Sequence, residues 1–244
     1  MTTYLFLFLL PFLEADEPVN EHIITSEVLG YDLKYWVHVP KGHDKQQLPV
    51  LFVTDGKWYM ESGKILRTSQ KLIDKGEVNP HIIVLVDAFD PDQPSRNRRN
   101  SQFLCNPDYV RFYKQELIPK IDAEYNTDQS RETRGMLGLS FGGLNSMYFA
   151  LEAHDSFQKI GIQSPAPHPC PNIYDDFQKS PRLPLDIFLS TGTVYDKATE
   201  TRRLRNILKE KGYTFEYLEV PEGHDWKNWK PMLDDILVYF YGEG

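Results

Sequence analysis

The sequence predicts an α/β fold in which a mostly parallel central sheet carries helices on both faces. Apolar, strand-like runs alternate along the chain with amphipathic helical stretches, and this alternation is typical of parallel sheets. Two of the runs, residues 49–54 (PVLFVT) and 81–87 (HIIVLVD), have uninterrupted apolar centres, as strands covered on both faces require. We therefore expect these two strands to lie between two layers of helices.

The strand series begins at residues 33–39, where apolar side chains alternate with polar or mixed neighbours. This pattern predicts an antiparallel strand at the edge of the sheet. After the two buried runs, four more segments continue the series: residues 134–139, 159–164, 185–191 and 214–220. Ligands of such sheets bind beyond the carboxyl ends of the strands, so functional residues are expected in the loops that follow these segments.

Helical patterns fill the intervals between the strands. They cover residues 108–125, 144–153, 198–211 and 225–240. Pro119 lies inside the first of them and is expected to kink that helix or to begin a second segment. Gly212 follows the third, where a glycine is a favourable helix end.

Composition indicates a globular protein, since 41% of the 244 residues are hydrophobic and 25% are charged. No repeat or charge block interrupts residues 20–244, which predicts a single domain there. Residues 4–13 (YLFLFLLPFL) form an apolar run that is too short to span a bilayer. Either residues 1–15 are a secretory signal, and the protein is periplasmic or secreted, or the run is an N-terminal strand and the protein is cytoplasmic.

Charge and cysteine content exclude several functions. The net charge of −8 provides no attraction for a phosphate backbone, so nucleic acid is not an expected partner. The sequence contains no metal-site spacing and no dinucleotide-binding loop, so neither a metal nor another cofactor is predicted. Cys105 and Cys170 are the only two cysteines and form either one disulfide or two buried thiols.

The clearest motif is residues 138–143 (GLSFGG), which lie between a predicted strand and a predicted helix. In this context the motif predicts a nucleophile elbow, a tight turn that holds the serine hydroxyl above the sheet. The alternative is a glycine-rich turn with a passive serine. Ser140 is therefore the candidate nucleophile, and the helix behind it favours developing negative charge.

A serine hydroxyl needs a base to accept its proton. His224 follows the last predicted strand and is the candidate, with His168 as a weaker rival. Asp196 follows the strand before it and is the candidate acid that orients the imidazole. The rival acids are Asp175, Asp176 and Glu200.

Two backbone N–H groups are needed to stabilise the oxyanion of an ester-cleaving enzyme. Phe141, directly after the candidate nucleophile, is the first expected donor. Lys57, after the strand at residues 49–54, is the second, with Gly56 as the alternative. Together these residues predict a serine hydrolase of carboxylic esters that acts through an acyl-enzyme. The alternatives are an acyltransferase with the same triad and a non-catalytic protein that uses the fold as a binding surface.

Three motifs resemble the putative-esterase family of the α/β-hydrolase superfamily: residues 53–56 (VTDG), the elbow at 138–143, and 223–226 (GHDW) with Trp229. This family includes feruloyl esterases, enterochelin-type siderophore esterases and S-formylglutathione hydrolases. Residues 105–108 (CNPD) and 116–119 (ELIP) are also similar to the siderophore-esterase group. The resemblance covers roughly residues 25–240. It implies an α/β-hydrolase fold and the same roles for the candidate serine, histidine and acid. The glycine- and histidine-rich oxyanion loop of S-formylglutathione hydrolases is absent, which disfavours that subfamily.

The expected partner is a small-molecule ester, and two sets of residues are candidates for binding it. Trp58, Tyr59 and Trp226 form either a flat wall for an aromatic acyl group or part of the core beneath the terminal helix. Arg98 lies between Arg96 and Arg99 in a polar segment, where clustered arginines either recognise an anionic substrate or balance nearby acids.

Overall fold

The computed structural model describes residues 18–242. The apolar run at residues 4–13 and the signal segment predicted at residues 1–15 therefore lie outside the described residues, as do the last two residues of the domain predicted at 20–244. In the described part of the chain, no helix combines the length and the apolar character needed to cross a membrane.

A single eight-stranded sheet forms the centre of the described residues, in the order β1-β2-β4-β3-β5-β6-β7-β8. Strand β2 is antiparallel to both of its neighbours, β1 and β4, and strands β3 to β8 are parallel to one another. This confirms the predicted mostly parallel sheet. The strands are β1 (Asn20–Ser26), β2 (Tyr31–His38), β3 (Val50–Val53), β4 (Ile82–Val86), β5 (Gly135–Leu139), β6 (Lys159–Gln163), β7 (Asp186–Gly192) and β8 (Phe215–Val220).

The prediction that residues 33–39 form the edge strand is wrong in one respect. These residues belong to β2, which is antiparallel as expected but lies second in the sheet, inside β1. The edge strand β1 was not predicted, because most of its side chains face solvent and only Ile24 and Ser26 are buried. A strand that buries so few residues has little of the apolar alternation by which strands are recognised.

Helices cover both faces of this sheet, which confirms the second part of the fold prediction. Two π-helical turns, at Tyr59–Gly63 and Tyr113–Leu117, interrupt the α-helical segments. The α-helices are α1 (Gly56–Trp58), α2 (Ile65–Asp74), α3 (Arg99–Phe103), α4 (Pro107–Phe112), α5 (Ile118–Glu124), α6 (Phe141–Glu152), α7 (Ile173–Lys179), α8 (Ala198–Glu210), α9 (Trp226–Trp229) and α10 (Met232–Tyr241).

Proline positions explain where the predicted helices divide. The helix expected over residues 108–125 restarts at Ile118, so that Pro119 lies in the first turn of α5, as predicted. A proline is tolerated there because the first N–H groups of a helix have no intrahelical acceptor. The helix expected over residues 225–240 is two helices, α9 and α10, because Pro231 lacks the N–H needed to continue the hydrogen-bond ladder.

Two apolar clusters, one on each face of the sheet, form the core. Val50 and Phe52 belong to one cluster, whereas Leu51 and Val53 belong to the other, and all four are fully buried. Successive side chains of a strand point to opposite faces, so an uninterrupted apolar run fills both clusters. Burying each such side chain contributes about 1.5–3 kcal/mol.

The open question about the cysteines is answered by a disulfide between Cys105 and Cys170, which are 65 residues apart. The bridge joins the segment after α3 to the loop between β6 and α7.

A closed loop of this length is expected to stabilise the fold by roughly 4 kcal/mol, mainly by restricting the unfolded chain. Urea unfolding with and without dithiothreitol should show this loss. The double variant Cys105→Ser/Cys170→Ser should match the reduced protein and be insensitive to the reductant, and equal stability of all forms would contradict the prediction.

Candidate active site

The turn at Ser140 has the geometry of a nucleophile elbow. Ser140 joins β5 to α6 with φ 56° and ψ −116°, a conformation that side-chain-bearing residues rarely adopt. A Cβ atom on Gly138 would lie 2.2 Å from the carbonyl oxygen of Gly142, and one on Gly142 would lie 2.6 Å from Oγ1 of Thr54. The two flanking glycines are therefore required by close packing in the turn, which holds the serine hydroxyl at the carboxyl edge of the sheet.

His224 lies in the loop after β8, with Nε2 2.9 Å from Oγ of Ser140. Its other ring nitrogen, Nδ1, forms a short hydrogen bond with Oδ1 of Asp196. When Nδ1–H donates to this carboxylate, the lone pair of Nε2 faces the serine and can accept its proton. The indole ring of Trp229 lies edge-on to the imidazole, 4.9 Å between ring centres, and supports its orientation.

Asp196 is held by hydrogen bonds to its second oxygen, Oδ2. The Gly192 N–H donates to it at 2.5 Å, the Ser164 hydroxyl at 2.6 Å and Nδ2 of Asn228 at 2.8 Å. Burial by itself would raise the pKa of Asp196, but the hydrogen bonds from His224, Ser164 and Gly192 outweigh it, and the pKa is lowered. The carboxylate is consequently ionised and fixed in direction, which leaves Oδ1 for the imidazole.

Ser164 and Asn228 were missed by the sequence analysis. Ser164 directly follows β6, and its hydroxyl also accepts a hydrogen bond from Nε1 of Trp229 at 2.9 Å. Asn228 is fully buried four residues after His224. A serine after a parallel strand is a recognisable position at this edge of the sheet, whereas no sequence pattern indicates the asparagine.

The structure brings none of the rival residues to the hydrogen-bonded group. Asp175 faces Arg203 at 3.7 Å, and the carbonyl oxygen of Glu200 accepts a hydrogen bond from Tyr174. His168 is exposed and its ring lies 5.5 Å from that of Phe141, at the rim of the site.

The two expected oxyanion donors both occupy first turns of helices. Phe141 is the first residue of α6 and Lys57 the second residue of α1, where N–H groups have no acceptor within the helix. The left-handed residue of this turn is Asp55, at φ 54°. Gly56 is needed because a Cβ there would lie 2.5 Å from the backbone of Leu85 in β4.

Two of the three aromatic residues proposed as a substrate wall pack against each other, one inside the core and one at its border. Tyr59 is fully buried and its hydroxyl donates to Oε1 of Gln163 at 2.8 Å, so its placement at a substrate surface is wrong. Trp226 packs edge-on against Tyr59 and against Trp229, at 5.4 and 5.6 Å between ring centres. Tyr59 therefore follows the alternative interpretation, in which it packs in the core beneath the terminal helix, whereas Trp226 is half-buried beside it.

Trp58 differs from these two residues because it lines a cavity of about 340 Å³. The ring is half-buried and packs against Phe89 at 6.0 Å. Lys57 and Lys34 line the same cavity, together with the buried carboxyl of Asp87. This residue keeps its candidacy for substrate binding.

The structure favours the alternative for the arginines, in which they balance nearby acids: Arg96 and Arg98 both face Asp90, and Arg99 faces Asp55. Nη2 of Arg98 lies 2.5 Å from Asp90, and its guanidinium stacks on the ring of Tyr31 at 3.9 Å. Only 12% of the Arg98 side chain is exposed. The expectation that Arg98 recognises an anionic substrate is therefore corrected, since its charge is already neutralised. Arg99 instead forms two hydrogen bonds with Asp55.

Asp55 titrates in an unusual range, which leads to a prediction about stability. Burial raises its pKa to about 6 although the Arg99 charge lowers it, whereas the unfolded value is near 3.8. The folded state therefore binds this proton more tightly, and stability falls as the pH rises from about 4 to about 6.

We expect the free energy of unfolding of the wild type, minus that of Asp55→Asn, to decrease by roughly 3 kcal/mol across this interval and to be constant above it. Urea unfolding at closely spaced pH values measures the difference. A difference that is constant from pH 4 to pH 6, or one that increases, would contradict the raised pKa.

Within residues 18–242, no group of three or more histidine, cysteine, aspartate or glutamate side chains is arranged to hold a metal ion.

The chain matches a known protein family and is similar to several known proteins. The family model described as "Putative esterase" matches residues 26–240. The uncharacterized protein YjcH of Bacillus subtilis is 26% identical over 238 residues, which cover 90% of this chain and 95% of that protein. The iron(III) enterobactin esterase of Escherichia coli K12 is 26% identical over 147 residues, covering 60% of this chain and 36% of the esterase.

Solved structures share the fold. The enterobactin esterase FES from Shigella flexneri superposes with a TM-score of 0.79 at 23% identity, over 91% of this chain and 58% of that one. A ferulic acid esterase superposes with a TM-score of 0.76 at 19% identity, over 92% of this chain and 98% of that one. These likenesses confirm the predicted α/β-hydrolase fold. The chain thus spans little more than half of the Shigella esterase and about a third of the E. coli one.

Proposed function

The chain belongs to the putative esterase family of carboxylic ester hydrolases, and on that premise we propose that it cleaves esters with a catalytic triad of Ser140, His224 and Asp196. The observation that carries the proposal is the continuous hydrogen-bonded path from the Asp196 carboxylate through both nitrogens of His224 to the Ser140 hydroxyl. A surface serine or a core histidine needs no such path, and a binding protein would gain nothing from it.

The reaction begins when the Ser140 oxygen attacks the carbonyl carbon of the ester while Nε2 of His224 accepts the hydroxyl proton. Asp196 stabilises the imidazolium that forms. The carbonyl oxygen becomes an oxyanion, which accepts hydrogen bonds from the N–H groups of Phe141 and Lys57. Collapse of this intermediate breaks the bond to the alcohol, which leaves with the proton from His224. An acyl-enzyme remains on Ser140.

Water then attacks the acyl-enzyme in a second half-reaction that follows the same steps. Nε2 of His224 takes a proton from the water as its oxygen attacks the acyl carbon, and the bond to Ser140 breaks as the serine regains its proton. The acid is released and the enzyme is restored. Because the acceptor enters only in this second half, an acyltransferase would differ by admitting an alcohol in place of the water.

The substrate class is proposed to be an ester with an aromatic acyl group, such as the feruloyl group in the name of the relative from Xylanibacter ruminicola. Trp58 supports this proposal because it contributes an aromatic wall to the cavity that Lys57 also lines. Lys57, whose N–H is the proposed second oxyanion donor, is the residue that this cavity shares with the proposed site, whereas Ser140 and His224 do not line it.

A fluorophosphonate probe tests the reaction type, because it labels a serine only when that serine is activated. The folded wild type should be labelled at Ser140, as peptide mapping would show, and the urea-unfolded protein should not. Lack of labelling of the folded protein would remove the proposed mechanism and favour a non-catalytic role.

A substrate panel tests the class of ester. We would compare p-nitrophenyl acetate, methyl ferulate, an acetylated sugar and a siderophore lactone by kcat/KM. Methyl ferulate or the lactone should be preferred over the two acetyl esters, and preference for an acetyl ester would overturn the aromatic class. Product analysis with and without added alcohol separates hydrolysis from acyl transfer.

A further inference from the structure

The carboxylate of Asp55 is buried at the start of α1 and does not serve the usual purpose of a residue in that position. Its side chain forms no capping hydrogen bond with the helix, and only 1% of the side chain is exposed. It binds Arg99 instead, through Nε at 2.8 Å and Nη2 at 3.0 Å. A two-point contact of this kind fixes both the distance and the angle between the partners.

This ion pair lies between the two turns that carry the proposed oxyanion donors. Lys57 is two residues after Asp55 in the first turn. In the second turn, Gly142 follows Phe141 and approaches the carboxylate so closely that a Cβ on it would lie 3.2 Å from Oδ2 of Asp55. The Asp55 carboxylate thus packs against the Phe141 turn, while Asp55 itself is part of the Lys57 turn.

Arg99 contacts the same two turns from its own side. Its guanidinium carbon lies 5.0 Å from the ring centre of Trp58, next to Lys57, and 5.5 Å from that of Phe141. Arg99 begins α3, whose following segment is anchored by the Cys105–Cys170 disulfide. Arg99 therefore connects the segment that the disulfide anchors to both turns that carry the proposed oxyanion donors.

An oxyanion site works only when its two donors point to one place before the reaction starts, since reorienting them during the reaction would consume the stabilisation they provide. The turns after β3 and β5 belong to separate loops, and their relative position depends on the side chains between them. A displacement of about 1 Å at such a site lowers the rate about 10²-fold.

We propose that Arg99 and Asp55 are positioning residues of the oxyanion hole, whose ion pair fixes the Lys57 and Phe141 turns relative to each other. The inference rests on the proposed esterase function, because the donors have no role without an oxyanion. Neither residue touches the reacting atoms in this assignment. Its consequence is a loss of kcat with little change in KM, because donors that meet the oxyanion act on the transition state more than on the bound ester.

The main test compares Arg99→Met with Arg134→Met by steady-state kinetics and thermal unfolding. Arg134 is a suitable control because its Nη2 donates to both carboxylate oxygens of Asp122, at 3.0 and 3.3 Å, and its side chain is 5% exposed. It lies at the amino end of β5, at the opposite edge of the sheet from Ser140. Both variants should lose stability. Arg99→Met should lose about 10²-fold in kcat with KM changed less than about 3-fold, whereas Arg134→Met should keep kcat.

A second variant controls for misfolding, because Arg99→Met leaves the buried carboxylate of Asp55 without its partner. The double variant Asp55→Asn/Arg99→Met removes both charges and should recover stability relative to Arg99→Met, but it should still have a low kcat. The proposal is overturned if folded Arg99→Met or the double variant retains wild-type kcat, if the loss is in KM, which would indicate direct substrate binding, or if Arg134→Met loses as much kcat.

Failure of this inference is distinguishable from failure of the esterase proposal. If the wild type is not labelled by the fluorophosphonate and hydrolyses no ester of the panel, the esterase function itself is absent. If the wild type is labelled and active while the Arg99 variants equal it in kcat, only the positioning role is lost.

Discussion

Replacing Ser140 with alanine is expected to lower kcat for ester hydrolysis by about 10⁵-fold and to abolish fluorophosphonate labelling. The hydroxyl is the atom that forms the acyl-enzyme, and no other hydroxyl accompanies it at Nε2 of His224 among the hydrogen bonds of the described residues. Initial rates with p-nitrophenyl acetate, together with intact-protein mass after labelling, measure both effects.

Ser146→Ala is the matched control for this variant. Ser146 lies in the same helix, α6, is fully buried, and its hydroxyl is without a hydrogen-bond partner among the described residues. Removing that hydroxyl should leave kcat and labelling unchanged. Retention of hydrolysis in Ser140→Ala, in a preparation free of other esterases, would show that another residue is the nucleophile.

Replacing Asp196 with asparagine is expected to lower kcat by about 10⁴-fold while the protein remains folded. The hydrogen bonds around residue 196 give the reason. Gly192, Ser164 and Asn228 all donate to the Oδ2 position, so the amide oxygen of an asparagine would occupy it. Its NH₂ group would then face Nδ1 of His224 and require that nitrogen to accept. The ring proton would move to Nε2, which could no longer accept a proton from Ser140.

Asp186→Asn provides the comparison for this variant. Asp186 begins β7, the strand that ends just before Asp196, and its carboxylate accepts a hydrogen bond from Gln158 at the opposite edge of the sheet. The substitution should leave kcat unchanged. Equal kinetics of Asp196→Asn and the wild type would mean that a serine–histidine pair suffices and that Asp196 only stabilises the fold.

The fold and the central part of the candidate site were accessible from sequence for a common reason. Parallel strands bring their carboxyl ends to one edge, so the order of strands along the chain already predicted that the loops bearing Ser140, Asp196 and His224 would share an edge. The uninterrupted apolar runs predicted strands buried on both faces for an equally local reason, the alternation of side chains along a strand.

The binding residues were less accessible because side-chain direction depends on partners far away in sequence. Trp58 and Tyr59 are adjacent, yet one lines a cavity and the other is fully buried against Trp226. Arg98 and Arg99 are also adjacent, yet one binds Asp90 and the other Asp55. Adjacent residues of a helical turn point in directions about 100° apart, and composition does not reveal which direction faces the site.

The sequence by itself determined the parallel part of the sheet, the elbow and the three loops that meet above it, because these follow from strand order, residue periodicity and the steric demands of Gly138 and Gly142. Only the tertiary structure decided which polar side chains hold Asp196 in place, that Cys105 and Cys170 are joined, and that Arg99 rather than Arg98 lies beside the elbow. These contacts join residues that are tens of positions apart. Their pairing depends on how whole helices pack, and no local sequence pattern predicts that pairing.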